Sequence, residues 1–140
     1  MDHFLFVSNR DSQDYYSSNR PDFFTINCEQ SICLPGNWKV AITEINVVLA
    51  FETRARPNYL GITVDFCSPS YVSGNYRQIL RKLQLEPDSN LYSVIFSKPY
   101  YFKVNVPEIN KFMVSVINED LALSGLAGEL SFTLHLKKQK

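Results

Sequence analysis

Residues 130–137 alternate apolar and polar side chains without a break: Leu130, Phe132, Leu134 and Leu136 against Ser131, Thr133, His135 and Lys137. Successive side chains leave a pleated backbone on opposite sides, so a period of two marks a strand with one face in a core and the other toward water. On a helix the same four apolar residues would split to opposite sides of the cylinder. The pattern therefore predicts a strand, with His135 as a surface imidazole.

The same alternation returns along the chain. It places Phe112, Val114 and Val116 on one face, and Ile62, Val64 and Phe66 against Thr63 and Asp65. Tyr100, Phe102 and Val104 alternate with Tyr101, Lys103 and Asn105. Shorter β-rich runs cover residues 3–7, where Phe4 and Phe6 oppose Leu5 and Val7, residues 23–28 behind Pro21, and residues 91–97. Proline at the start of a strand does least harm, since no ladder bond is lost there.

Residues 34–48 form the longest such run. A Pro35-Gly36-Asn37 turn leads into a segment holding the only tryptophan, with Trp38, Val40 and Ile42 on one face and Lys39, Ala41 and Thr43 on the other. Parity would put Glu44 on the Trp38 face. A carboxylate there must be hydrogen-bonded, shifted in pKa or re-aimed by a β-bulge. The expected reading is that the strand bulges or ends at Glu44.

One stretch reads as a helix. Tyr76, Ile79, Leu80 and Leu83 fall at helical spacing, Ser73 is a candidate cap, Arg77, Arg81 and Lys82 lie off the stripe, and Pro87 closes the segment. Eight or nine short strands with one helix midway predict an all-β fold. The expectation is a single jelly roll, an eight-stranded antiparallel β-sandwich with one short helix between strands, occupying residues 1–140 as one domain.

Composition narrows the function. Fourteen Lys and Arg balance fourteen Asp and Glu. There is thus no electrostatic footprint for nucleic acid, and no apolar run reaches the length of a membrane span. Cys28, Cys33 and Cys67 lack any zinc spacing. With no secretory leader at the start, they are expected to be reduced thiols in a chain made in a host cytoplasm or nucleus and not secreted. A small Cys28–Cys33 loop is the disulfide the spacing leaves open. His3 and His135 are the only imidazoles, and neither has a partner at catalytic or metal-ligand spacing. No enzyme, cofactor or metal centre is expected.

Two connections have the composition of an interface instead. Residues 8–20 carry Tyr15 and Tyr16 among Ser, Asn and Asp, and residues 51–58 carry Phe51, Arg54 and Arg56. Aromatics with polar neighbours suit protein contacts. These five residues are the candidate interface set, although Arg54 and Arg56 also fit a solvated loop.

The run Asn19-Arg20-Pro21-Asp22-Phe23-Phe24, followed by Cys33-Leu34-Pro35-Gly36-Asn37-Trp38-Lys39-Val40-Ala41-Ile42-Thr43-Glu44-Ile45, resembles a recurring signature. It is similar to the minor capsid (penton-type) proteins of Polinton/Maverick elements and adintovirus-like viruses. Ser70-Tyr71-Val72-Ser73 and the closing Gly128-Glu129-Leu130-Ser131-Phe132-Thr133-Leu134-His135-Leu136 resemble later parts of that family's pattern. Asn46-Val47-Val48 departs from it, where the family often has Tyr-Pro and an aromatic. The resemblance implies a single jelly roll forming a homopentamer at capsid vertices, beside a double jelly-roll major capsid protein, in the virion. Alternatives are a capsid cement or scaffolding protein, and a jelly-roll or galectin-like carbohydrate-binding module.

Overall fold

The computed structural model describes residues 2–11, 19–51, 56–67, 70–72, 75–77 and 79–139. They form β1 (His3–Ser8), β2 (Phe23–Cys33), β3 (Trp38–Val48), β4 (Tyr59–Val64), β5 (Ser70–Val72), β6 (Asn75–Arg77), β7 (Ile79–Gln84), β8 (Leu91–Ile95), β9 (Phe102–Lys103), β10 (Glu108–Ile117) and β11 (Leu130–Lys138). Setting aside the β5–β6 hairpin and the two-residue β9, the pairing is concentric. The first strand pairs with the last, β1 with β11, and β2 pairs with β10. Inside these, β3 pairs with β8 and β4 with β7, all antiparallel. Such nesting wraps the chain into two sheets, β1-β11-β3-β8 and β2-β10-β4-β7, so the expected jelly roll is the fold.

The core lies between the sheets. Leu130, Phe132, Leu134 and Leu136 of β11 all point into it, as their alternation predicts, and meet Phe24, Val114 and Phe112 of the opposite sheet within one apolar cluster. Fully burying each such side chain contributes about 1.5–3 kcal/mol, which is the main force closing the sandwich. The Phe66 and Phe112 rings meet edge-on at 5.2 Å, the arrangement that aromatic quadrupoles favour.

Glu44 is re-aimed by a bulge. Thr133 pairs with Glu44 while Leu134 pairs with Ile42, leaving Thr43 as the extra residue. Beyond it the phase flips: Ile45 and Val47 continue the buried face that Trp38, Val40 and Ile42 began. Glu44 and Asn46 turn outward, where the Asn46 amide donates to Glu44 Oε1 at 3.0 Å. The carboxylate is thereby kept out of the core.

The helix expected from residue 73 onward is not formed. Where it was expected, β5 and β6 make a hairpin and β7 pairs with β4; Ser73 lies outside the described residues. The register breaks within β7, since Ile62 pairs with Arg81 and Thr63 with Ile79, so Leu80 is an extra residue. A bulged strand sends Leu80 and Leu83 into the core but Ile79 to the other side, onto Gly61. A Cβ at Gly61 would stand 3.1 Å from Ile117 and 3.6 Å from Ile79, so glycine makes room for both. Three apolar residues that share a helical face thus fit a bulged strand equally well. Pairing the exposed edge of β4 and extending the Leu83–Leu85 alternation outweighs local helix propensity.

The Asn19–Phe24 run ties the chain at one end of the sandwich. Asn19 brackets Thr25, donating to its carbonyl and accepting from its N–H, both at 3.0 Å. Buried Asp22 accepts the Gly125 N–H at 2.9 Å, and its other oxygen lies 3.4 Å from Arg20 Nε. Asn9 adds bonds to the Pro21 and Gly128 carbonyls and accepts the Leu130 N–H. These polar groups satisfy the backbone where the loops cross the sandwich end.

Candidate interaction surface

The outward face of the β1-β11-β3-β8 sheet carries the chain's distinctive surface chemistry. On it the cross-strand pairs bring Phe4 beside His135 and Phe6 beside Thr133. On the far side Asn46 stands beside Ser93, and Val48 beside Leu91. Its middle is polar: Ser93 donates to Asn46 Oδ1 at 2.6 Å, extending the bond from Asn46 to Glu44. A trough of about 400 Å³ lies here, with Phe6 on one side and Leu91 on the other and Asn46, Ser93 and Ser131 among its lining.

The sheet's two edges are apolar. Phe4 is 65% exposed and Phe6 66% on β1, and Leu91 is 70% exposed and Ile95 77% on β8. Phe4 and Phe6 are next neighbours on their face, while Leu91 and Ile95 flank Ser93 on theirs, and large side chains left this open along one strand mark contact surfaces. The signal is present in the sequence: residues 4–7 and 91–96 are apolar at both parities, so neither strand can bury all of its apolar side chains in one core.

One end of the face holds a cluster that alternation alone does not reveal. His135 is on the outward side, as expected, but its side chain is only 13% exposed. The Phe4 ring stacks on it at 4.5 Å and 5°, Tyr101 Oη lies 2.9 Å from Nδ1, and Asp2 Oδ2 lies 3.0 Å from Nε2. The bond from His135 holds the Asp2 carboxyl below the usual carboxylate range. The next row is three lysines across three strands, Lys137 opposite Lys39 and Lys39 opposite Lys103. Like charges on facing rungs repel. The Tyr101 ring offsets this, with Lys39 Nζ 5.1 Å and Lys137 Nζ 5.6 Å from its centroid. An imidazole between a phenol and a carboxylate has the pieces of a proton relay. The contacts of Asp2 and Phe4 with His135 pin residues 2–4 onto β11.

On the flank beside β7 and β8, Arg81 lies between two rings, its guanidinium 3.8 Å from the Phe96 centroid and 4.0 Å from that of Tyr100. It donates to the Lys98 carbonyl at 3.2 Å and seals the side of the sandwich. The three cysteines form no disulfide with one another. Cys67 is buried, which pushes its thiol well above the ordinary range, with Asp65 adding to the shift, while Cys33 is exposed. Among the described residues no His, Cys, Asp and Glu cluster could hold a metal ion, and no helix is long and apolar enough to cross a membrane.

Of the five residues expected at an interface, Tyr15, Tyr16 and Arg54 lie outside the described residues. Phe51 is half-buried, packed on the core and bridged to Leu126. Arg56 donates to the carbonyls of Glu86 and Ser89, the latter at 2.7 Å, and to the Asn90 side chain. It ties its loop to the turn before β8. Neither stands on the apolar edges of the sheet.

Fold and surface together define an antiparallel single jelly roll with one sheet presented outward. The solved mavirus penton protein shares this architecture over its whole length: TM-score 0.64, 9% sequence identity, 99% of this chain and 100% of that one covered. The solved Drosophila NLP-core, described as informative on pentamer formation and histone binding, aligns at TM-score 0.40 and 13% identity over the full length of both chains. No protein-family model matches the chain, and no curated protein sequence matches it. The chain therefore has the fold of a penton protein.

Proposed function

We propose that this protein is a structural virion protein, the minor capsid (penton-type) subunit of an icosahedral capsid, in the manner of Polinton/Maverick and adintovirus-like elements. The observation that carries the reading is the end-to-end match of its jelly roll to the mavirus penton protein, with 100% of that chain covered. The exposed apolar edges support it, because a subunit that works by assembly must leave contact surface uncovered in the monomer. In this reading five copies form a ring at a vertex, held in the virion against a double jelly-roll major capsid protein. No catalytic step is assigned to any residue. The arm with Tyr15 and Tyr16 and the loop with Phe51, Arg54 and Arg56 are further proposed contacts.

Native mass spectrometry of the full chain over a concentration series tests this. The expected species is a closed ring of five chains. A chain that stays monomeric at high concentration, both alone and beside a double jelly-roll capsid protein, overturns the reading.

A further inference from the structure

We propose that copies of this chain join edge to edge through one sheet, β1 of one copy pairing with β8 of the next. The proposal rests on the ring reading above and names its contact. Each sandwich has four sheet edges, and the chain treats them differently. The edges of the β2-β10-β4-β7 sheet are guarded. Strand β2 carries Glu29 and loses regular register between Asn27 and Ile32, while β7 carries exposed Lys82 and a bulge. Charges and bulges on an edge are the usual means of preventing another strand from adding to it.

The other sheet has no such guard. β1 reads His-Phe-Leu-Phe-Val-Ser and β8 reads Leu-Tyr-Ser-Val-Ile, without Lys, Arg, Asp, Glu or Pro. Among the described residues β1 pairs with β11 alone and β8 with β3 alone. Both strands hold regular register with their neighbours, and at six and five residues they differ in length by one. Each leaves one backbone edge unpaired, and each presents a pair of large apolar side chains on the outward face, Phe4 and Phe6 on β1 and Leu91 and Ile95 on β8.

Strand direction makes these edges fit a second copy. From β1 to β11, β3 and β8 every neighbour is antiparallel, so β1 and β8 run in opposite directions. A copy rotated about an axis near the strand direction keeps its strand directions. Its β1 therefore arrives antiparallel to the β8 it meets, with both outward faces on the same side. The ladder continues unbroken, and the Phe4–Phe6 strip comes against the Leu91–Ile95 strip. The two surfaces are different, so the contact is head to tail and can close a ring.

The test uses the full chain, with Phe6→Glu on one edge and Ile95→Glu on the other. Both positions are exposed, so circular dichroism should show the wild-type fold, and Leu91→Glu provides a second variant on β8. In native mass spectrometry each variant alone is expected to give no ring. An equimolar mixture of Phe6→Glu and Ile95→Glu chains is expected to stop at heterodimers, because only one intact β1 and one intact β8 remain per pair. Lys82→Glu, on the guarded β7 edge, is expected to keep the ring. Rings that survive in both edge variants overturn the edge contact and leave the capsid reading standing. Loss confined to one edge points to a twofold contact and also overturns it. A wild type that forms no ring, either alone or beside a double jelly-roll capsid protein, removes both.

Discussion

At the scale of single residues, position in the pleat decides cost. Trp38 is buried, stacks on His3 at 5.4 Å and donates its ring N–H to the Pro35 carbonyl at 2.9 Å. Trp38→Ala is expected to lower stability by about 3–5 kcal/mol, the range for removing a large buried aromatic. Thr43, the extra residue of the β3 bulge, is half-exposed; Thr43→Ala is expected to cost under about 1 kcal/mol. Urea midpoints of the two variants check the contrast, and equal losses would place the bulge elsewhere. Asp2 supplies a pH effect. Its carboxyl is held low by the bond from His135, so the folded state binds that proton less readily than the unfolded chain. The resulting stabilisation is present above the ordinary carboxylate pKa and is lost as pH falls through the lower folded value, that is, below about pH 4. In Asp2→Asn that part of the acid-range slope of the thermal midpoint is expected to disappear, and an unchanged slope would rule the bond out as its source.

At the scale of elements, the connection from β10 to β11 shows why two glycines are not equivalent. A Cβ at Gly128 would lie 1.8 Å from the Val48 carbonyl oxygen, whereas one at Gly125 meets nothing within 4 Å although φ is +78°. Gly128→Ala must push β3 and the loop apart and is expected to cost more than about 2 kcal/mol, toward the upper end for overpacking. Gly125→Ala carries only left-handed strain, about 1–2 kcal/mol. Thermal unfolding of both variants checks the order, and a larger loss at Gly125 would mean that the close approach relaxes freely. The strands themselves were legible wherever one face is apolar, as in β11, β3 and β10. They were misread where a bulge breaks the period. Leu80, inserted into β7, turns a strand into something spaced like a helix, because i, i+1 and i+4 can all be apolar in either structure. In β3 the conflict itself marked the place, since Glu44 on a core face pointed to a bulge or a strand end there, and the bulge is the one formed. Residues 4–7 and 91–96 carry more apolar side chains than one face can bury, but that pattern does not say that either strand is an edge. Alternation reports which face is buried, whereas an edge is defined by a neighbour that is missing, and only topology supplies that.

For the whole molecule, the concentric pairing couples the two ends of the chain. β1 pairs with β11 so that His3 faces Leu136, and nearly every strand contact is long-range. Loop closure must therefore precede most of the stabilising contacts, which makes a fold of this topology slow to form. It also places the chain ends on neighbouring strands at one end of the sandwich. A short Gly-Ser linker from residue 139 to residue 2 would then close a hairpin, and new ends can be opened at the exposed Ser97–Lys98 turn. Such a permutant keeps every strand pair and shortens the β1–β11 closure from the whole chain to a few residues. It is expected to fold to the same sandwich and to refold faster than the parent, since the most distant pairing becomes local. Stopped-flow refolding by tryptophan fluorescence reads both, because Trp38 lies in the core that forms last if β1 and β11 are late to meet. Equal rates would mean that this pairing is not part of the slow step. A permutant that does not fold would mean that the turn at Ser97–Lys98, beside the Arg81 contact that seals the flank, is needed intact for the sheets to close.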